Sequence, residues 1–330
     1  MSGRIRAAAA VGALALSAVF GYLAVRNVRW TSTWAALESS NYWWLLPAFA
    51  AVVVSTLMRA ARWRSLFRPD RAPPFIPVLK ATIVGLFFNN LLPARAGEAA
   101  RVVALKSYGG VSMAESTATI LVERLMDVLV LLALLFLLVP WLPHVAWLHA
   151  AALVALVAVT TTVLVIGLSA HLARGTPRWL VGAFAALPFM TRPTVERLMQ
   201  SATHGFAAIR LPRQALAALL WTVASWLALG IGFWFLMIGF SLHLPLLAGI
   251  LVAIAVVLSF IIPAAPSGLG VFEAAGLAAT RAYDVPTSEA FAYVLVLHAL
   301  NFVPFILVGM LLFLRGARAP RGSVGRRETA

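Results

Sequence analysis

The sequence predicts an all-α polytopic membrane protein, on the basis of three observations. First, 62% of the 330 residues are hydrophobic and 11% are charged, whereas soluble domains are about 45–50% apolar and about 25% charged. Second, the apolar residues form runs that approach the roughly 20 residues a helix needs to cross a bilayer. Third, the net charge of +15 is unevenly distributed between these runs. Disordered and collagen-like chains are excluded, and the absence of cysteine excludes a disulfide framework.

Six apolar runs are predicted to cross the membrane completely. In order, they cover residues 6–25, 43–60, 116–139, 148–170, 215–240 and 288–314. Two further segments, 75–107 and 246–281, are interrupted by turns rich in proline and glycine. We interpret each as a re-entrant hairpin that enters and leaves the bilayer by one face; the alternative is two more kinked spans, eight in all. Because non-helical backbone at membrane depth needs partners from protein or a wet cavity, both turns are expected to be internal.

The basic residues indicate the topology of the chain. With six spans and two hairpins, 22 of the 26 lysines and arginines fall on one side of the membrane, among them Arg59, Arg62, Arg95 and Arg101, while Arg124 lies within a span. The positive-inside rule makes this side cytoplasmic, so both termini are expected in the cytoplasm. The excess positive charge is thereby explained without nucleic acid, and no nucleic-acid partner is expected.

The whole chain, residues 1–330, is predicted to form a single membrane domain. Its first half covers 1–140 and its second half 141–314, and a basic cytoplasmic tail follows at 315–330. Each half contains span, span, hairpin and span. Because three full crossings are an odd number, the second half is expected to be inserted upside down relative to the first.

Polar residues recur at matching positions in the two halves, at an offset of 174 or 175 residues. The aligned pairs are Glu98 with Glu273, Arg124 with His298, and Asp127 with Asn301. Polar side chains inside a span usually face the interior of the helix bundle because exposing them to lipid is costly. Inverted repeats with segments interrupted by glycine and proline are typical of transporters whose site lies at the repeat interface.

The turn of the first hairpin contains the densest group of polar side chains. They are Asn89, Asn90, Arg95, Glu98 and Arg101. The broken helix leaves backbone N–H groups free to meet an anion, and the arginines and asparagine amides add further donors. This pattern indicates a binding site for a phosphate headgroup. The alternative is a helix-capping turn with Arg95 and Arg101 at the cytoplasmic interface.

Two carboxylates share one face of the third predicted span. Glu123 and Asp127 are four residues apart, so they lie on the same side of a helix, next to Arg124. Such carboxylates either pair with arginine or retain a proton, because like charges resist joint ionisation. The structural alternative is an ion pair with Arg95 or Arg101. No spacing typical of metal ligands is present, so neither a metal nor a cofactor is expected.

The second half contributes three candidates of its own. Glu273 is the counterpart of Glu98, or alternatively an acid at a helix start that complements the helix dipole. His298 is the histidine at a matching intramembrane position, although a lone histidine is more often a hydrogen-bonded packing residue than a proton carrier. Asn301 completes the set through its alignment with Asp127.

Several motifs form a set that extends from residue 59 to residue 314. They are Arg62-Trp63, Asn90-Leu91-Leu92-Pro93 with Arg95, Gly97-Glu98 and Arg101, Glu123-Arg124 with Asp127, Pro266-Ser267-Gly268-Leu269-Gly270, and Glu273. Together they resemble the flippase-like membrane family represented by the transmembrane region of lysylphosphatidylglycerol synthases. The resemblance implies a multi-pass protein of the bacterial inner membrane that moves lipids or lipid-linked molecules between leaflets.

The resemblance also bears on the substrate. Bifunctional members carry an aminoacyl transferase domain after the membrane region, whereas this sequence ends about 16 residues after its last predicted span, so it is expected to be a stand-alone member without lysine transfer. Stand-alone relatives occur in settings tied to hopanoids and polyprenyl-linked glycans. The expected partners are therefore membrane lipids: an anionic phospholipid, a hopanoid or a polyprenyl-linked molecule. A homo-oligomer and a lipid-synthesis enzyme are further candidates.

The main hypothesis is a lipid flippase that works by alternating access, with the headgroup held between the two hairpins. Its rival is a membrane-embedded enzyme acting on lipid headgroups through Glu98, Glu123 and Asp127. A third interpretation is a non-catalytic partner of a separate lipid transferase. No nucleotide-binding or nucleophile-elbow motif is present in the sequence, so this chain is not expected to be an enzyme or an ATP-driven pump.

Overall fold

The structure is a computed structural model that describes residues 3–92, 96–141, 153, 212–260 and 265–318. All regular secondary structure in these residues is helical, with no strand among them, which agrees with the predicted all-α class. The predicted fourth span at 148–170 and the predicted site residue Arg95 lie outside the described residues.

Ten α-helices are found in the described residues and are numbered here in chain order. They are α1 (Gly3–Val25), α2 (Trp30–Ser39), α3 (Leu45–Ser65), α4 (Phe75–Leu91), α5 (Gly97–Gly109), α6 (Met113–Leu138), α7 (Pro212–Gly239), α8 (Leu246–Ser259), α9 (Val271–Arg281) and α10 (Thr287–Arg318).

Three of the described helices are long and apolar enough to cross a bilayer by themselves. They are Tyr42–Ser65, Arg213–Gly239 and Thr287–Arg315, and they coincide with the second, fifth and sixth predicted spans. The third predicted span coincides with α6, which has 26 residues and differs by carrying Glu123, Arg124 and Asp127 within its apolar sequence. These helices are typical of a multi-pass membrane protein.

The first predicted span corresponds to α1, but the chain then bends by 79° into α2, a helix that the sequence analysis did not predict. Contacts with the distant start of α10 hold α2 in place. The backbone N–H of Arg29 donates to the hydroxyl of Ser288 over 3.0 Å, and the Thr33 hydroxyl donates to the Ser288 carbonyl over 3.2 Å. Because these partners lie far away in sequence, no local pattern indicates them.

The first predicted hairpin, 75–107, corresponds to α4 and α5. These helices have 17 and 13 residues, about 25 and 20 Å, whereas the hydrocarbon core of a bilayer is about 30 Å thick. Gly109 at the end of α5 packs against Pro77 near the start of α4, and Gly97 at the start of α5 packs against Asn89 near the end of α4. The two helices are therefore antiparallel, as a hairpin requires.

The second predicted hairpin, 246–281, corresponds to α8 and α9, with 14 and 11 residues. Leu244, just before α8, and Tyr283, just after α9, pack against the same hydrophobic cluster. At the turn, the backbone N–H of Ala265 donates to the Ser17 hydroxyl of α1 over 2.6 Å. The short helices are compatible with the predicted re-entrant hairpins, and the choice between these hairpins and eight spans stays a prediction.

The element order repeats with the spacing found in the sequence. A long helix, two short helices and another long helix occur first as α3 to α6 and again as α7 to α10. The helices α5 and α9 begin at residues 97 and 271, and α6 and α10 begin at 113 and 287. Both pairs thus keep the offset of 174 residues. The inverted orientation of the two halves stays a prediction.

The hydrophobic core positions the polar residues described below. The helix α3 packs along α7, and α4 packs against both α5 and α10. Trp63 in α3 is fully buried in a cluster with apolar residues of α4 and α5, while a larger cluster joins α7 and α8 to α6, α9 and α10. The polar face of α6 lies between these two clusters.

Candidate functional site

A cavity of about 280 Å³ lies where the tips of the two hairpins meet. Asn89, Asn90 and Glu98 line it from the first hairpin, and Ser267 and Gly268 line it from the second. The turn at Pro266–Gly268 contacts α4 directly. Ser267 and Gly268 of the second turn are buried, as the sequence analysis expected, whereas Leu91 and Leu92 before the first turn are 50% and 40% exposed. The centres of both turns, 93–95 and 261–264, lie outside the described residues, so the internal position of the first turn stays a prediction.

Glu123 is the centre of an ion cluster that forms part of the lining of this cavity. Its carboxylate accepts two hydrogen bonds from the guanidinium of Arg101, at 2.8 and 2.7 Å. Nη2 of Arg124 donates to it over 2.7 Å, and Nη2 of Arg62 forms an ion pair with it at 2.9 Å. Glu123 is 1% exposed. One buried carboxylate thus joins arginines from α3, α5 and α6.

Asp127 lies one helical turn further along α6 and completes the cluster. It pairs with Arg62, it lies 3.2 Å from Nη1 of Arg124, and it accepts a hydrogen bond of 3.1 Å from the indole N–H of Trp226. Arg124 also pairs with Glu98 at 3.3 Å. Because Trp226 belongs to α7, the cluster connects both halves of the chain.

Two tryptophans support arginines of the cluster through their ring faces. The Arg101 guanidinium lies 3.7 Å from the ring centroid of Trp63, and that of Arg59 lies 4.3 Å from the ring centroid of Trp226. Cation–π contacts of this kind contribute about 0.5–2 kcal/mol, more where the site is desolvated. The indole N–H of Trp63 donates to the Thr119 hydroxyl over 3.0 Å, which fixes the ring.

Within the described residues, the arginine cluster contains one more positive charge than negative charges, counted apart from Glu273 and His298, which pair with each other across the cavity. Four arginines, Arg59, Arg62, Arg101 and Arg124, face three carboxylates, those of Glu98, Glu123 and Asp127. A buried charge without a counter-ion is costly. The surplus therefore favours an anion on the arginine side of the cavity.

The opposite side of the cavity contains a histidine–carboxylate pair. Nδ1 of His298 is hydrogen-bonded to Glu273, and the other oxygen of Glu273 accepts the backbone N–H of Gly270 over 2.7 Å. The imidazole ring stacks on Phe272, with 4.3 Å between ring centroids. Glu273 thus caps the start of α9 and orients His298 toward the cavity at the same time.

The structure brings eight of the eleven predicted site residues to one cavity. They are Asn89, Asn90, Glu98, Arg101, Glu123, Arg124, His298 and Asn301. Asp127 and Glu273 lie behind this wall and hold Arg124 and His298, respectively. Arg95 lies outside the described residues. The first structural alternative, an ion pair of Glu123 with an arginine, is present with Arg101 as the partner. The second, a helix-capping turn, holds in part, because the Asn89 side chain accepts the Gly97 N–H over 2.9 Å.

The topology count requires a correction. The sequence analysis counted Arg59, Arg62 and Arg101 among the cytoplasmic charges, but Arg62 is 1% and Arg101 is 6% exposed, and Arg59 lines the cavity. These side chains neutralise carboxylates or face the cavity instead of reporting topology. The spacing of two of them indicated a buried polar face, because Arg59 and Arg62 lie one turn apart and so share a face of an apolar helix. Nothing in the sequence indicated the role of Trp226, because it lies in an uninterrupted apolar run.

Replacing Glu273 with alanine is expected to loosen the tip of the second hairpin. The substitution removes the acceptor of the Gly270 N–H, and loss of a helix cap costs about 0.5–2 kcal/mol. Amide hydrogen exchange at residues 265–273 should therefore become about tenfold faster, as about 1.4 kcal/mol of local stability implies. Exchange in α4 and α5 is the internal reference. Equal protection of 265–273 in both proteins would show that Glu273 does not hold this turn.

Within the parts of the chain that the structure describes, no three histidine, aspartate or glutamate side chains are grouped so as to hold a metal ion. The carboxylates near the cavity bind arginine or histidine instead. The arrangement can therefore bind an anion or a polar headgroup through arginine and amide donors.

Comparisons with known proteins agree with this architecture. A UPF0104 membrane protein of Methanocaldococcus jannaschii is 25% identical over 228 residues, which cover 69% of this chain and 93% of that protein. The model of the lysylphosphatidylglycerol synthase TM region matches residues 10–309, a range that includes both hairpins and the ion cluster. Because this match extends over most of the chain, the protein belongs to the lysylphosphatidylglycerol synthase transmembrane-region family.

Proposed function

We propose that this protein moves a lipid, or a lipid-linked molecule, between the leaflets of the bacterial inner membrane. The observation that supports this proposal is the cavity enclosed by the two hairpin tips. In this proposal the chain is inserted with both termini in the cytoplasm, and one hairpin opens toward each side of the membrane.

The cavity is lined by polar and by aromatic side chains. Arginines and asparagines supply hydrogen-bond donors, and five phenylalanine rings add an apolar surface; the rings are Phe233, Phe260, Phe272, Phe302 and Phe305. A polar headgroup fits the donors and the start of an apolar chain fits the rings. A small soluble metabolite needs no such aromatic lining, so the arrangement favours a lipid.

The repeated helix order supports alternating access as the mechanism. Each hairpin packs against the long helix that follows it, α5 against α6 and α9 against α10, and the cavity lies between the two units. Rocking of one unit against the other would expose a site at their interface to each leaflet in turn. A bound headgroup would shift this equilibrium only as far as it binds the two states with different affinity.

The ion cluster favours transport over the enzyme alternative. Glu123 and Asp127 are each engaged by two or three arginines, and a general base must be able to reach and accept a substrate proton. Both carboxylates are better suited to holding the arginines of the cavity wall in place.

The test is a transport assay with the purified protein in liposomes. Tail-labelled phosphatidylglycerol, a polyprenyl phosphate and a hopanoid are placed in separate samples, and a membrane-impermeant reagent measures how fast each lipid reaches the outer leaflet. The proposal expects faster movement of at least one lipid than in liposomes without protein. Mass spectrometry of the recovered lipid separates the alternatives: chemical change of the headgroup would support an enzyme and contradict a flippase.

Replacing Asn301 with leucine is expected to slow transport without unfolding the protein. The Asn301 amide lines the cavity, and its one hydrogen bond to a described residue goes to the Leu297 carbonyl of its own helix, over 2.9 Å. Loss of one neutral hydrogen bond to the headgroup corresponds to an about two- to tenfold slower rate. Val303→Leu, on an exposed face of the same helix, is the matched control. Equal rates for the two variants would remove Asn301 from the binding site.

A further inference from the structure

Arg59 differs from the other three arginines near the cavity. Arg62, Arg101 and Arg124 each pair with at least one carboxylate. The guanidinium of Arg59, in contrast, forms no hydrogen bond and no ion pair with any described residue, and its recorded contact is the ring of Trp226. Its Nε is buried without a hydrogen-bond partner, as are those of the other three arginines. A guanidinium carries five N–H donors in a planar fork. The donors of Arg59 therefore have no partner in the described part of the chain, and those that face the cavity are available to a ligand.

The position of Arg59 is fixed although its donors are free. Its guanidinium stacks on Trp226, and the indole of Trp226 is held by the hydrogen bond to Asp127. Arg59 also lines the cavity, together with Asn89 and Asn90 of the first hairpin. A cation with free donors, held flat on a fixed ring and facing a cavity, is pre-organised for a bidentate anion.

We propose that Arg59 binds the phosphate group of the molecule that occupies the cavity, and that this molecule is a phosphodiester lipid with one negative charge. This inference rests on the proposed function for the source of the phosphate, a lipid headgroup. The surplus of one positive charge among the described residues of the cluster matches the single charge of a phosphodiester. The planar fork of arginine matches the geometry of its two free oxygens.

The charge balance predicts that Arg59 is dispensable for folding. Replacing Arg59 with glutamine leaves three arginines and three carboxylates, so the described cluster becomes neutral and no carboxylate loses its partner. A structural arginine would behave in the opposite way, because its removal leaves a buried carboxylate unpaired. The thermal unfolding midpoint of Arg59→Gln in detergent should therefore equal or exceed that of the unmodified protein.

Equilibrium binding to the purified full-length protein tests the site without any transport. Native mass spectrometry measures binding of short-chain phosphatidylglycerol, of diacylglycerol, which lacks the phosphate, and of glycerol 3-phosphate, which lacks the acyl chains. The unmodified protein is expected to prefer phosphatidylglycerol over diacylglycerol, and Arg59→Gln to weaken phosphatidylglycerol binding about 10- to 100-fold, as loss of a charge-assisted hydrogen bond implies. Diacylglycerol binding should stay unchanged.

A matched control and the remaining outcomes complete the test. Arg68→Gln removes an exposed arginine that pairs with Asp70 at the surface, and it should bind phosphatidylglycerol normally.

Equal affinity of Arg59→Gln and Arg68→Gln for this lipid would overturn the proposal, as would loss of folded Arg59→Gln protein. Binding of glycerol 3-phosphate as tight as that of the lipid would also overturn it, because the ligand would then be a free phosphate compound. Lipid binding that depends on Arg59 but is not accompanied by movement between leaflets would support the phosphate site and contradict the flippase.

Discussion

Replacing Glu123 with glutamine is expected to lower the free energy of unfolding by about 3–5 kcal/mol, the cost of breaking a buried ion pair by removing one partner. The carboxylate of Glu123 is shared by Arg62, Arg101 and Arg124. Glutamine keeps the size and shape of the side chain but removes its negative charge, so the buried arginines lose a counter-ion. The measurement is the thermal unfolding midpoint in detergent, together with the fraction of protein that elutes as a single folded species.

Asp70→Asn is the matched control for Glu123→Gln. Asp70 is exposed and pairs with Arg68 and Arg71 at the surface, where an ion pair contributes about 0–1 kcal/mol. The control should therefore unfold at nearly the same temperature as the unmodified protein. If Glu123→Gln were as stable as this control, the ion cluster would not hold α3, α5 and α6 together.

The sequence predicts Glu123 as a site residue, and the structure gives it a second role. With three arginine partners, Glu123 is part of the scaffold as well as of the cavity wall. A loss of transport in Glu123→Gln would therefore not identify a binding residue. Arg59 and Asn301 are better probes, because neither is bonded to a buried carboxylate in the part of the chain that the structure describes.

Replacing Gly97 with alanine is expected to abolish transport by separating the helices of the first hairpin. A methyl group at Gly97 would lie 2.0 Å from the carbonyl oxygen of Gly85 and 2.6 Å from the Asn89 backbone nitrogen, far inside van der Waals contact. Overpacking of this kind costs about 1–3 kcal/mol or more. Relief requires a shift of α5, which carries Arg101 and Glu98. Lipid movement should fall to the rate of liposomes without protein.

Gly12→Ala provides the control for this substitution. Apart from the adjoining backbone of α1 itself, no atom of the described residues lies within 4 Å of the position that its methyl group would take, and alanine favours a helix over glycine by about 1 kcal/mol. This variant should transport normally and be at least as stable as the unmodified protein. Normal transport by Gly97→Ala would mean that close packing of α4 on α5 is not needed for function.

Most of the helix pattern was predictable from the sequence, because apolar length and proline or glycine breaks are local signals. The second hairpin was predicted at 246–281, and α8 begins at Leu246 while α9 ends at Arg281, so the outer limits coincide. The first hairpin was predicted at 75–107. The helix α5 ends at Gly109, and the next residue, Gly110, adopts a positive φ of 68°. The helix α2 was not predicted, because its contacts are to Ser288 and Phe291.

The candidate site was predictable in its residue types but not in its connections. Polar residues inside apolar helices pointed to Glu123, Arg124 and His298, because their burial in lipid would be too costly. The count of cytoplasmic charges also included Arg62 and Arg101, since a basic residue near the end of an apolar run resembles a topology marker, and Arg62 was therefore not predicted as a site residue. Their burial follows from the approach of α3 and α5 to α6, which composition does not reveal.

The sequence by itself determined that this is an all-α multi-pass membrane protein, the approximate positions of most of its described helices, and which polar residues are unusual in an apolar chain. These properties depend on local composition and on spacing along one helix. Only the tertiary structure decided which charges neutralise one another, that Arg59 keeps free donors, and that both hairpin tips enclose one cavity. Ion pairing and cavity shape depend on distances of a few ångströms between helices that are far apart in sequence.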